Sequence, residues 1–353
     1  MKVLSALFLS AAVAAAGSTR ILSEEVNTYC TSTVVTDWGG IIYVNEQGGL
    51  SIINPDYTGE PGTFVVDLGR ELTSWGGTGQ VMELSGSSDG RMICYAQFVH
   101  PPEDMDTAES CQIPSPLIVV CCGSDGMAPK VVGLSFDVGG GPQFDFTQDS
   151  RYVYGDPWIE CSPSPEGYLY YFQNEGQTDI EPFLMVETTS GERSGDPSPV
   201  SDGYMPNPYS DLVAAGWYPP NAIVEITSGR VLLQDTSSTP PSIIDTWVLP
   251  DAGLALLEDG RQVLRYSNGT EVVNPGERLY VYGRLQDGRY IFTRDGGENV
   301  MLGSVDWSDF TIGDSVPIPW LDGLYPETML HELPGGEGVV YSDGGSLVLA
   351  ELP

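Results

Sequence analysis

Apolar positions in this chain fall in short runs rich in Val, Ile, Tyr and Leu, each closed off by Gly, Asp, Asn or Ser, and no window carries an apolar stripe at helical spacing. Ile41-Ile42-Tyr43-Val44-Asn45 is followed by Glu46-Gln47-Gly48-Gly49 and then by a second apolar run from Leu50 to Asp56. Two β-rich runs around a glycine-bearing turn predict a hairpin. The same pattern predicts pairing of 168–174 with 183–188, of 290–294 with 299–305, and of 339–341 with 347–350 across Ser342-Asp343-Gly344-Gly345. The 43 glycines and 27 prolines puncture the helical candidates, so the chain reads as nearly all strand and loop.

One short element recurs: a Gly-bearing polar turn that runs straight into a strand. It is plainest at Asp287-Gly288-Arg289-Tyr290-Ile291-Phe292-Thr293, and returns at Asp89-Gly90-Arg91, Ser228-Gly229-Arg230, Asp259-Gly260-Arg261 and, degenerately, Asp149-Ser150-Arg151. Repeated turn-plus-strand units without intervening helices predict an all-β fold, a β-propeller of about seven blades, with six to eight compatible with the length. A pair of β-sandwiches is the competing architecture, but it has no need of one element so often. The anchors at Gly90, Ser150, Gly229, Gly260, Gly288 and Gly338 are irregularly spaced, with two intervals too short for a four-stranded blade. The last strand, from Ser346, is expected to gain a partner from the N-terminal region near 26–35, which would remove an open edge and lock the ring.

The copy at Asp287 to Gly297, continued by Asn299-Val300-Met301-Leu302, resembles the repeat of TolB-like, or WD40-like, propellers. The stretch from Ile42 to Asn54 resembles the Tyr-Val-Thr-Asn type of propeller repeat found in secreted surface proteins. The resemblance implies a propeller over most of 37–353 and an extracytoplasmic setting. It says little about chemistry, because one fold hosts many functions.

Residues 1–16 have the layout of a cleaved secretory signal: Lys2, an apolar run to Val13, then Ala14-Ala15-Ala16 before Gly17. The expected product is a single propeller domain over 17–353, secreted or periplasmic. With 49 acidic against 14 basic residues the formal charge is −35. Such a surface repels nucleic acid and anionic membranes, and its simplest role is solubility. The expected partner is an envelope or extracellular protein, or a glycan.

Six cysteines, Cys30, Cys94, Cys111, Cys121, Cys122 and Cys161, are disulfide candidates in an oxidising compartment, and their pairing is left open. Cys121 and Cys122 are adjacent on an expected strand, so their side chains leave opposite faces. No Cys-x-x-Cys occurs, and His100 and His331 are far apart, so a zinc site is not indicated.

Other chemistry is sparse. Gly86-Ser87-Ser88-Asp89-Gly90 fits the Gly-x-Ser-x-Gly pattern of serine hydrolases, but here it enters a strand instead of a helix. Asp145, Asp149 and Asp156, or Asp104 with Asp106, could offer oxygens to Ca²⁺. They lack the spacing of a dedicated loop, and no cofactor is expected. The stretch 194–221 is rich in proline and carries Tyr204, Tyr209, Trp217 and Tyr218. A long aromatic loop on a propeller face suits sugars or peptides, and these four residues are the expected ligand contacts. The function that follows is a non-catalytic binding or scaffolding module. The alternative is an extracellular glycoside hydrolase using carboxylates of the central channel.

Overall fold

The structure, a computed structural model, describes residues 18–27, 32–66, 79–98, 118–129 and 249–353 apart from 250, 251, 258, 267, 295–297 and 325–327; at 117 and from 130 to 248 it describes only the backbone of strands. Strand β1 (Thr19–Ser23) comes first and stands apart from its neighbours in sequence. A first sheet follows, built from β2 (Thr33–Val35), β3 (Ile41–Val44), β4 (Leu50–Ile53) and β5 (Gly62–Thr63). The second contains β6 (Val81–Gly86), β7 (Met92–Phe98), β8 (Leu117–Gly123) and β9 (Lys130–Ser135). The third begins with β10 (Phe144–Phe146) and β11 (Tyr152–Gly155). After the hairpin of β12 (Glu160–Pro163) and β13 (Leu169–Phe172), it is completed by β14 (Glu181–Glu187) and β15 (Ser198–Val200).

The fourth sheet holds β16 (Tyr204–Met205), β17 (Leu212–Ala215), β18 (Ala222–Glu225) and β19 (Arg230–Gln234), and the fifth holds β20 (Ile243–Leu249), β21 (Ala252–Leu257), β22 (Gln262–Tyr266) and β23 (Glu271–Val273). The sixth is β24 (Tyr280–Arg284), β25 (Tyr290–Thr293), β26 (Met301–Asp306) and β27 (Thr311–Pro317). A 3₁₀ turn, Pro319–Leu321, leads to β28 (His331–Glu332), β29 (Gly338–Asp343) and β30 (Ser346–Glu351). In the seventh sheet β1 pairs antiparallel with β30, so the two ends of the described chain share one sheet. Among the described strands, seven antiparallel sheets, each running in chain order, with the last one closed by the first strand, make the fold a β-propeller. No helix among the described residues is long and apolar enough to cross a membrane.

The core explains why the strands read as unbroken apolar runs. All four residues of β3 are buried, and alternate ones go to opposite interfaces. Ile42 and Val44 join Ile93, Tyr95 and Val120 between the first and second sheets. Ile41 and Tyr43 join Val340 and Leu349 between the seventh and first. The same division recurs on β25, where Ile291 packs with Val339 and Tyr341 of the seventh sheet while Tyr290 and Phe292 pack with Leu254 and Leu264 of the fifth. A sheet sandwiched between two others has no polar face, so period-two alternation of polarity disappears from its central strands.

Four sequence expectations need correction. The strand closing the ring is β1 at 19–23 instead of a strand within 26–35; residues 33–35 belong to the first sheet as β2. The strand at 169–172 does not pair with 181–187: β13 pairs with β12, and β14 pairs with β11 and β15. The hairpin of β12 and β13 is an insertion within the third sheet that reaches back through Glu160 opposite Ser135 to extend the second sheet to six strands. The stretch 194–221 is not all loop, since it supplies β15, β16 and β17. Finally, the recurring turn does not mark one position per blade. It joins first to second strands before Arg91 and Arg289, second to third before Arg261, and third to fourth before Arg230. From the fourth to the sixth sheet it therefore steps one hairpin earlier each time, which shortens the intervals between copies below the length of a blade.

Candidate functional site

Two copies of the recurring turn, before Arg261 and before Arg289, share one geometry, whereas the copy before Arg91 closes one residue later, with the Ser87 N–H donating to the Met92 carbonyl at 2.9 Å. In Leu257 to Arg261 the N–H of Gly260 donates to the Leu257 carbonyl at 2.8 Å, and the N–H of Leu257 donates to the Arg261 carbonyl at 2.8 Å. Gly260 sits at φ 84, and the Asp259 carboxylate accepts the Arg261 N–H at 3.1 Å. Leu285 to Arg289 repeats it, with Gly288 at φ 89 and Asp287 accepting the Arg289 N–H at 2.9 Å. This is the three-residue hairpin loop in which a type I turn ends on a left-handed residue. Glycine supplies that conformation, and the Asp side chain satisfies the next backbone donor. The Arg289 N–H and guanidinium hold the Asp287 carboxyl below its ordinary value.

Four connections between first and second strands meet at one place. The first strand β2 lies against β6 on one side and β28 on the other, so the first strands of the seventh, first and second sheets stand side by side. A cavity of about 600 Å³ opens there, lined by the turns that follow β2, β6, β24 and β28. Its polar groups include Asp37, Ser88, Asp89, Arg284, His331 and Glu332.

Backbone contacts between sheets hold this rim. The Asp37 N–H donates to the Gly90 carbonyl at 2.9 Å, and the Asp37 carboxylate lies 3.5 Å from the Arg91 guanidinium. Gly90 has φ 70, and a Cβ there would stand 2.5 Å from the Asp37 nitrogen. The Gln286 N–H donates to Glu332 Oε2 at 2.6 Å, joining the sixth and seventh sheets. Burial raises the Glu332 carboxyl above its ordinary value, against the opposing effect of the Gln286 N–H. Burial also lowers His331 to about 4, so its imidazole is neutral at physiological pH. Trp38, beside Asp37 on the same turn, is 41% exposed. Its ring covers Gly40, where a Cβ would fall 2.2 Å from the indole.

The serine-hydrolase pattern dissolves in this setting. Ser88 stands at the exposed tip of the hairpin between β6 and β7, and the strand β7, not a helix, follows. Ser87 is buried and occupied: its hydroxyl donates to Asp89 at 2.7 Å and accepts the Met92 N–H at 2.9 Å.

Of the residues expected to contact ligand, Tyr204 lies on β16 opposite Ala215, with only its backbone described, while Tyr209, Trp217 and Tyr218 lie outside the described residues. Asp145 lies on β10, again as backbone, and Asp149, Asp156, Asp104 and Asp106 lie outside. Among the described residues no group of three or more His, Cys, Asp or Glu gathers as a metal site. Cys94, Cys121 and Cys122 are buried thiols in this structure; Cys161 is on β12 as backbone, and Cys30 and Cys111 lie outside the described residues. Sequence reasoning missed Asp37, Trp38, Arg284 and Glu332. What unites them is the phase of their turns within the sheets, which only the strand pairing reveals.

No family model and no curated protein matches the chain. Among solved structures, a chain of a crystal structure of a mitotic checkpoint complex is similar at a TM-score of 0.52 and 10% identity, over 99% of this chain and 98% of that one. The C-terminal WD40 domain of Sif2 is similar at 0.48 and 13% identity over 95% and 98% of the two chains, and the WD40 β-propeller domain of Doa1 at 0.44 and 11% over 94% and 96%. At 10% identity the likeness to the chain of the mitotic checkpoint complex is one of fold alone.

Proposed function

We propose that the chain is an exported, non-catalytic binding or scaffolding module: a single seven-bladed propeller over 17–353, of the TolB-like kind its repeat resembles, freed of a signal at 1–16. Its partner is an envelope or extracellular protein, or a glycan. The observation that carries this reading is the rim of the 600 Å³ cavity, where turns from four sheets converge and an exposed Trp38 stands beside Asp37. A rigid ring presenting short, hydrogen-bonded turns loses little entropy on binding, and exposed tryptophans anchor interfaces. The aromatic set Tyr204, Tyr209, Trp217 and Tyr218 is proposed as a second contact surface on the strength of the sequence.

The test is affinity capture from envelope and culture-fluid extracts with the full chain, a Trp38→Ala/Asp37→Ala variant and a variant with all four aromatics changed to Ala, at low and high salt. Loss of a salt-resistant partner from the first variant supports the rim, and loss from the second supports the aromatic stretch. A partner retained by both overturns the placement. A glycan hydrolase is the second reading, favoured by one observation: Asp37, Asp89 and Glu332 face the same cavity and burial raises Glu332. Release of reducing sugar from a glycan panel, abolished by Glu332→Gln, would establish it.

A further inference from the structure

Three buried cysteines occupy neighbouring strands of the second sheet, Cys94 on β7 and Cys121 and Cys122 on β8. In the ladder Cys94 stands directly opposite Cys121, and Ile93 opposite Cys122. The Ser124 N–H donates to the Arg91 carbonyl at 2.8 Å, which makes that facing pair a hydrogen-bonded one. Antiparallel pairs alternate, so Ile93 with Cys122 is also hydrogen-bonded and Cys94 with Cys121 is not. Non-hydrogen-bonded partners have Cα atoms about 4.5 Å apart and side chains in closest approach. That separation lies within the roughly 4.4 to 6.8 Å that a disulfide spans.

The sulfurs agree with the ladder. The Cys121 thiol donates to Cys94 Sγ at 2.8 Å, with nothing between them. Cys122 is excluded by direction: it enters the core between the first and second sheets with Ile93, Tyr95 and Val120, on the face opposite its neighbour. Burial there pushes its thiol up to about 12, leaving it protonated and unreactive.

We infer that Cys94 and Cys121 form a cross-strand disulfide when the chain folds in contact with a disulfide oxidant. The thiolate of one attacks the oxidant's sulfur–sulfur bond, forming a mixed disulfide and releasing one oxidant thiol. The thiolate of the other then displaces the second oxidant thiol. Both cysteine protons are lost to solvent or to the departing thiolates, and the two electrons reside on the oxidant's two new thiols. The bond pins the second strand of the sheet to the third and ties together two positions 27 residues apart in the chain.

The full chain is refolded with oxidised glutathione, denatured, and alkylated without reductant. Trypsin alone leaves Cys94, Cys111, Cys121 and Cys122 in one fragment between Arg91 and Lys130, so Glu-specific cleavage after Glu103 and Glu109 is added. The fragment 92–103 is expected to run joined to 110–130, and fragmentation between Cys121 and Cys122 is expected to place the bond on Cys121. Cys122→Ala is expected to keep the link, and Cys94→Ser to abolish it. Full alkylation of both Cys94 and Cys121, or a bond from Cys94 to Cys111 or Cys122, would overturn the assignment. The fragmentation result decides for the unaltered chain even if a variant does not fold.

Discussion

The amide of Asp37 donates to the carbonyl of Gly90 at 2.9 Å, so the first turn of one sheet is hydrogen-bonded to the first turn of the next. Both residues belong to the rim of the cavity, and the approach of the two backbones depends on the absence of a side chain at position 90. A Cβ at Gly90 would lie 2.5 Å from the Asp37 nitrogen and 2.8 Å from the Thr36 carbonyl carbon, and the backbone there is left-handed at φ 70.

Gly90→Ala is therefore expected to cost more than the left-handed conformation alone. Gly269 offers the comparison: its φ is 87, and a Cβ added to it would meet nothing within 4 Å. Gly269→Ala should lose about 1–2 kcal/mol, and Gly90→Ala about 1–3 kcal/mol beyond that, because backbone atoms of another sheet must move. Urea denaturation of both variants measures the difference. Equal losses would mean that the rim adjusts freely.

The division of β3 between two interfaces makes a second expectation. Ile42 is fully buried between the first and second sheets. Ile42→Ala should cost about 2–5 kcal/mol through lost burial and the cavity left behind. Val273, 46% exposed on the outer strand β23, should tolerate Ala within about 0.5 kcal/mol. Thermal unfolding distinguishes the two, and a small effect at Ile42 would contradict its place in a packed interface.

How much of this was legible beforehand can be judged residue by residue. The hairpins at 41–53, 290–306 and 338–351 follow from local signals alone, since each has apolar runs flanking a Gly-bearing turn. Pairing at 169–172 was not legible, because neighbouring strands in sequence are the default partners and nothing local marks β12 and β13 as an insertion reaching to another sheet. Asp37 and Trp38 carry no motif. Their significance is that their turn follows a first strand, and the recurring Gly turn, which sits at three different places within the sheets, gives the wrong phase when used as a ruler.

His331 gives the fold a pH dependence of definite sign. Burial lowers its value from 6.5 to about 4, so between those limits the unfolded chain binds the proton that the folded chain refuses. Stability from this group is complete above pH 6.5 and falls as pH drops toward 4, by up to about 3 kcal/mol. Glu332 acts the other way, since its raised carboxyl is relieved by acid. His331→Gln is expected to unfold with a shallower dependence on pH between 4 and 6.5 than the unaltered chain, in parallel urea titrations. Identical slopes would show that the imidazole takes up its proton in the folded state without penalty.

Closure of the ring rests on one short strand. Thr19, Arg20 and Ile21 pair with Ala350, Leu349 and Val348, and the Glu351 N–H donates to the Ser18 carbonyl at 3.0 Å. Ser23 is buried and accepts the Tyr43 hydroxyl at 3.0 Å, which ties β1 to the first sheet as well. Removing residues 1–16 leaves all of these contacts, so a chain beginning at Gly17 should unfold at the same denaturant concentration as the full chain. A chain beginning at Glu25 loses β1 entirely and leaves the outer edge of β30 without its partner. An unpaired apolar edge is a template for association between chains. The shorter form should lose protection from hydrogen exchange along 346–351 and form larger species as its concentration rises. A monomer with unchanged exchange in β30 would mean that the seventh sheet holds together without closure.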